Sequence, residues 1–141
     1  MSTPTFAQWE IIFVEFGEYL DKYDSTLTYS KVDFSEGVNL GNEFSEPHMA
    51  IIVSPTILNN GGNITVIPIT NYTNGDERHW DKIVLEQNDF NFLIKKSSIH
   101  LGGIRSISKY RVSRMVRPFI KRDIQKEIRK KLCSFVGINI N

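Results

Sequence analysis

The pattern that most constrains this chain is a series of short runs rich in β-branched and aromatic residues, separated by Gly, Asn and Pro. Such runs are typical of β-strands, because branched and aromatic side chains pack well on a pleated sheet. Pro68 lies inside one run and indicates a strand edge or a bulge, since proline has no backbone N–H. The predicted strands are residues 9–16, 48–55, 63–71 and 81–87, followed by a mostly extended segment at 97–112 that bends at Gly102-Gly103.

A single clear helical pattern lies near the C-terminus, at residues 118–137. Pro118 suits the first turn of a helix, and Gly137 can end it. An apolar residue recurs every four positions and forms one stripe along such a helix. The stripe comprises Ile120, Ile124, Ile128, Leu132, Phe135 and Val136. Short strands followed by one helix predict a mainly β domain, a small β-barrel or strongly bent sheet on which the helix packs.

A long polar segment, residues 17–46, interrupts the strand pattern after the first strand. Nine acidic residues lie within residues 10–46, and apolar anchors are few. Long loops in compact domains are usually functional or mobile. We expect this acidic insertion either to cover a binding groove as a gate or to contact another protein.

Length and composition indicate one globular domain that spans residues 1–141. The single cysteine, Cys133, cannot form an internal disulfide, which favours a reducing compartment. The N-terminus has no signal-peptide pattern, and no apolar run approaches the ~20 residues of a membrane span. The sequence therefore predicts a cytoplasmic protein.

The net charge of +1 conceals a strong asymmetry along the chain. Residues 105–131 contain eleven Lys or Arg against two acidic residues, whereas the remaining residues contain six against fourteen. A basic C-terminal third favours an anionic partner, although a solvated helix face explains the same charges.

Several kinds of site are excluded by their missing motifs. The sequence contains no GxGxxG, P-loop, HExxH or GxSxG pattern. His48, His79 and His100 are far apart in the chain and lack cysteine or carboxylate neighbours at ligand spacing, which argues against a metal site.

Three blocks, taken in order, resemble the MazF/PemK/Kid family of bacterial toxins. They are "IIFVEF" followed by "GNEFSEPHMAIIVSP", then "NNGGNITVIPIT", and last "SSIHLGGIRSISKYRV". Together with the terminal helix, the resemblance covers about residues 9–136. It implies a small SH3-like, MazF-like β-barrel with an appended helix, a homodimer, and a cognate antitoxin as partner.

The resemblance also implies an activity, metal-independent cleavage of single-stranded RNA by a toxin of a toxin–antitoxin module. In that reaction the ribose 2′-OH attacks the adjacent phosphate and leaves a 2′,3′-cyclic phosphate and a 5′-OH. The chemistry needs a base, an acid and donors for the charged phosphate, but no cofactor.

The family pattern assigns candidate catalytic roles to His48, Thr70 and Arg105. His48 stands where the family usually has an arginine, so this chain departs from the pattern there. Imidazole titrates near neutral pH and suits acid–base work, but it lacks the bidentate phosphate grip of a guanidinium. Glu43 matches the family's Gly-x-Glu loop and is a candidate RNA-binding residue, although a loop-organising role explains it as well.

A second candidate RNA-binding group lies in the loop at residues 71–80. Arg78, His79 and Trp80 combine cationic and stacking surface, which suits single-stranded RNA, while a solvated hairpin tip accounts for them equally well. The departure at His48 leaves one alternative open. The chain could be a non-catalytic MazF/CcdB-like protein that binds nucleic acid or a protein target such as gyrase.

Overall fold

The structure is a computed structural model that describes residues 5–16 and 47–138. Glu43 and the rest of the acidic segment 17–46 lie outside the described residues. Seven strands and one helix follow one another along the chain. They are β1 (Glu10–Glu15), β2 (Pro47–Ile52), β3 (Asn63–Asn71), β4 (Lys82–Leu85), β5 (Ser97–His100), β6 (Arg105–Ser108), β7 (Val112–Phe119) and α1 (Arg122–Phe135).

All seven strands belong to one antiparallel sheet with the order β4-β5-β3-β2-β1-β7, and β6 also pairs with β3. The prediction of a mainly β domain with one C-terminal helix is confirmed. The sheet is not closed into a complete barrel, because the pairing among the described strands ends at β4 and β7.

Strand β3 is the centre of the sheet, because it pairs with three other strands. Its residues Asn63–Val66 pair with β6, its residues Ile69–Asn71 pair with β5, and β2 lies along its other side. Pro68 falls between the two paired segments, so the expectation of a strand edge was wrong. Proline is tolerated where a strand changes partner, because a backbone N–H at that position would have no carbonyl of a partner strand to bond.

The C-terminal helix begins four residues later than the sequence pattern indicated. Residues 112–119 form β7, so Pro118 lies in a strand and the helix does not begin until Arg122. β7 pairs only with β1 among the described strands and is therefore an edge strand. Edge strands accept proline because one of their sides needs no N–H donors.

The sheet separates two hydrophobic cores. The helix-side core contains Ile11, Ile51, Ile67, Ile69, Ile83, Leu85, Phe90, Leu93, Ile99, Leu101, Ile120 and Ile128. The strand-side core contains Phe6, Ile12, Val14, Phe16, Ala50, Ile52, Ile64, Val66 and Ile107. Successive side chains of a strand project to opposite faces, so β1, β2 and β3 contribute to both cores.

Helix α1 packs on the helix-side core through part of its apolar stripe. Ile128 is fully buried, and Ile124 and Leu132 pack against the same core. The end of the stripe does not reach it, since Phe135 and Val136 remain 45% and 62% exposed. Helix α1 therefore lies on the face of the sheet that carries Ile11, Ile51 and Ile67.

Candidate active site

His48 lies at the start of β2, on the strand-side face of the sheet. Its neighbour Met49 packs against the helix-side core and Ala50 against the strand-side core, so alternation places His48 on the same face as Ala50. The imidazole lies beside the Phe16 ring, with 6.1 Å between ring centroids and a tilt of 53°. His48 is partly buried and keeps some access to solvent.

Arg105 reaches the same aromatic ring from another strand. It is the first residue of β6 and pairs with Val66 of β3. Its guanidinium carbon lies 5.5 Å from the centroid of the Phe16 ring, within the range of a cation–π interaction. Phe16 thus brings a cationic side chain and an imidazole to one place, although 57 positions in the sequence separate them.

Thr70 belongs to the same face through the strand register. Met49 pairs with Ile69, so continuing this antiparallel register by one residue sets Thr70 opposite His48. Directly opposite residues in antiparallel strands project to the same face and lie close together. The hydroxyl, the imidazole and the guanidinium therefore share one side of the sheet. Such a set can bind a phosphate and exchange protons with it.

A buried carboxylate that the sequence patterns did not reveal supports this face. Asp76 is 2% exposed and accepts hydrogen bonds from the Thr73 N–H (2.9 Å), the Ser98 hydroxyl (2.7 Å) and the Lys82 ammonium (3.0 Å). Chiefly the Thr73 N–H, together with Ser98 and Lys82, lowers the pKa of Asp76 to about 2. Because Ser98 pairs with Thr70, this anion holds the 71–80 loop beside Thr70.

A histidine–carboxylate pair, His100 with Asp81, lies where the end of β5 pairs with the start of β4. His100 pairs with Lys82, and its Nε2 lies 3.5 Å from Asp81 Oδ2. Burial of the ring and the nearby Lys82 lower the pKa of His100, while Asp81 acts in the opposite direction. Gly102 leaves room for this pair, because a Cβ there would lie 2.9 Å from Asp81 Oδ2. The sequence contained no signal for it beyond the histidine itself.

Of the predicted RNA-binding loop residues, Trp80 lies away from the His48 face. Trp80 lies against α1, where its carbonyl accepts a hydrogen bond from Lys131 Nζ (2.7 Å) and its ring contacts Phe135 at 5.7 Å between centroids. Since α1 covers the opposite side of the sheet, Trp80 is separated from Thr70 by the sheet itself. Arg78 and His79 are exposed in the same loop.

The described residues contain no group of side chains that could bind a metal ion. Across residues 5–16 and 47–138, no three His, Cys, Asp or Glu side chains come close enough together to hold a metal ion. In the same ranges, no helix is long and apolar enough to cross a membrane.

The chain matches the model of one known protein family. Residues 31–136 match the model of the "PemK-like, MazF-like toxin of type II toxin-antitoxin system" family, which is most of the chain. The chain belongs to the PemK/MazF toxin family. Comparison with curated proteins gives no significant match.

Solved structures similar to this PemK/MazF-family chain agree with that assignment at the level of the fold. MazF from Deinococcus radiodurans superposes with a TM-score of 0.67 at 17% identity and covers 96% of this chain and 100% of its own. An endoribonuclease in complex with its cognate antitoxin from a mycobacterial species gives a TM-score of 0.61 at 8% identity, over 99% of this chain and 100% of its own.

A third neighbour, the Mycobacterium tuberculosis toxin MazF-mt6, gives a TM-score of 0.58 at 13% identity. It covers 70% of this chain and 94% of its own. At such identities the common feature is the fold, so the roles of individual residues rest on the geometry described above.

Proposed function

We propose that this PemK/MazF-family protein is the toxin of a type II toxin–antitoxin module and cleaves single-stranded RNA without a metal ion. The observation that carries the proposal is the convergence of His48 and Arg105 on the Phe16 ring, with Thr70 opposite His48 on the same face. Family membership supplies the class of activity. The basic third of the chain suits a polyanionic substrate.

In the proposed reaction the ribose 2′ oxygen forms a bond to the adjacent phosphorus and loses its proton to a base. The bond between phosphorus and the 5′ oxygen breaks, and that oxygen takes up a proton. The products are a 2′,3′-cyclic phosphate and a 5′-OH, so no external reactant is consumed. His48 exchanges one of these protons, and Arg105 and Thr70 donate hydrogen bonds to the phosphate oxygens as negative charge accumulates.

The partners and location follow the same proposal. Several similar structures are complexes, among them an endoribonuclease with its cognate antitoxin and MazE–MazF from Deinococcus radiodurans at 15% identity. We propose a cognate antitoxin, a homodimeric state and a cytoplasmic location for this protein. Arg78, His79 and Trp80 are proposed as RNA-binding residues outside the cleavage site.

Incubation of the purified, antitoxin-free protein with a long single-stranded RNA in EDTA tests the proposal. The wild type should produce cyclic-phosphate ends, and His48→Ala should lower the rate by about 10²–10⁴-fold, the usual worth of general acid–base help. The control is Lys95→Gln, which alters an exposed side chain in the segment between β4 and β5.

Each outcome has a distinct meaning. Equal cleavage by the wild type and His48→Ala would keep the nuclease and transfer its chemistry to Thr70 and Arg105. Absence of cleavage by folded wild type would refute the nuclease and favour the alternative, a protein of this fold that acts by binding nucleic acid or a protein target.

A further inference from the structure

The surface between the 71–80 loop and α1 contains an open groove that the proposed cleavage site does not use. Its volume is about 460 Å³. We name it the Trp80 groove, and it is lined by Trp80, Glu127, Lys130, Lys131 and Ser134. Trp80 is 55% exposed there, which is unusual for so large an apolar ring.

The loop wall of the groove is anchored to the helix. The Lys131 ammonium donates a hydrogen bond to the Trp80 carbonyl, and the Phe135 ring lies at 34° to the indole. The first contact anchors the Trp80 backbone and the second packs against the indole, while Trp80 remains 55% exposed. A held, exposed ring of this kind is a stacking platform for a nucleobase.

The helix wall of the groove is continuous with a row of cations. Spacings of three and four residues place these side chains on neighbouring positions of one helix surface. The row comprises Arg122, Lys126, Arg129 and Lys130, all exposed. In the part of the chain that the structure describes, none of the four forms an ion pair. Four like charges on one exposed helix surface suit a polyanion.

We propose that the Trp80 groove is a second binding site for single-stranded RNA, in which one base stacks on Trp80 and the backbone phosphates follow the α1 cations. The proposal rests on the proposed function, since it takes RNA as the ligand. It adds a site on the face of the sheet opposite His48. Glu127 and Ser134 supply an acceptor and a hydroxyl for the edge of the stacked base.

The position of the groove has a kinetic consequence. The helix-side core and the sheet lie between the groove and Phe16, so a short substrate cannot occupy both sites. A long RNA bound in the groove would instead raise the effective concentration of its remaining length near His48. Loss of the groove should therefore raise KM for long RNA and leave kcat, and the cleavage of short RNA, unchanged.

Binding is tested with a single-stranded 2′-O-methyl oligonucleotide of about ten nucleotides, a typical single-strand site size. This probe lacks the attacking hydroxyl and so reports binding without cleavage. Trp80→Ala should weaken binding roughly 5- to 150-fold, the usual effect of removing a stacking ring, and Trp80→Phe should retain most of the affinity. Lys130→Gln should reduce the slope of the logarithm of the binding constant against the logarithm of the salt concentration by about 0.7, because it removes one phosphate contact.

Two exposed side chains away from the groove serve as matched controls. Tyr110→Ala removes a fully exposed aromatic ring, and Lys95→Gln removes an exposed lysine. Both should bind the oligonucleotide as the wild type does. Thermal melts of all variants check folding, and Lys130→Gln tests the groove from a different element than Trp80.

The result that would overturn the proposal is wild-type affinity in Trp80→Ala, or equal losses in Trp80→Ala and Tyr110→Ala. Trp80-dependent binding of an acidic peptide, but not of the oligonucleotide, would also overturn it. Trp80-dependent binding without RNA cleavage would support the groove and refute the nuclease. If the groove variants cleave long RNA as the wild type does, the nuclease is supported and the groove is refuted.

Discussion

Asp76 provides the sharpest test of how this fold is held together beside the candidate site. The carboxylate is buried, accepts three hydrogen bonds and has its pKa lowered from 3.8 to about 2. A shift of that size corresponds to about 2 kcal/mol that favours the folded state when Asp76 is ionised. Asp76→Asn keeps the shape but removes the charge that Lys82 faces, so the free energy of unfolding should fall by roughly 2–4 kcal/mol near neutral pH.

The pH dependence distinguishes charge from shape. Because the folded pKa is lowered, the stabilisation is present above the unfolded pKa of 3.8 and is lost as pH falls towards about 2. Urea unfolding of wild type and Asp76→Asn should therefore give a stability difference that is constant near neutral pH and shrinks below about pH 4. The exposed Asp89→Asn is the control and should change stability by less than about 0.5 kcal/mol. A difference for Asp76→Asn that stays constant down to about pH 2 would refute the electrostatic reasoning.

Two further perturbations test the helix contact and the histidine pair. Ile128→Ala removes a fully buried side chain at the contact between α1 and the sheet and should lower the free energy of unfolding in urea by about 2–5 kcal/mol. The control Ile57→Ala, at a side chain that is 78% exposed, should lower it by less than about 0.5 kcal/mol. Equal losses would contradict the packing assigned to α1. Asp81→Asn removes an influence that raises the pKa of His100, so NMR titration of the imidazole should show this pKa lowered further, and a raised pKa would show that Asp81 is not its partner.

The sequence predicted much of the fold because strand-forming runs and the spacing of the isoleucines are local signals. The run at 63–71 became β3 with the same bounds, and Ile128 packs where the helical stripe indicated. The error at Pro118 had a physical cause. Proline favours both a helix start and an edge strand, and only the pairing of β7 with β1 distinguishes the two.

The candidate site was less accessible to sequence reasoning, because it depends on contacts between distant strands. The family resemblance supplied His48, Thr70 and Arg105, but no local pattern indicates that Phe16 is the ring that the first and last of these share. Asp76 reads as an ordinary turn residue until its bond to Ser98 is known. The chemistry of Trp80 alone predicts RNA binding, whereas its location against α1 depends on the tertiary structure.

The alternation of β2 between two cores has a consequence for how this protein can vary. The odd-numbered β2 residues Met49 and Ile51 face the helix. The even-numbered residues His48 and Ala50 face the opposite side of the sheet, because successive side chains of a strand alternate. An insertion of one residue at the start of β2 need not move His48, but one between His48 and Ala50 would reverse its parity and turn it towards α1. A one-residue insertion after His48 can therefore remove the imidazole from the site while Ala50 and Ile51 keep their places in the two cores, whereas a two-residue insertion preserves the parity.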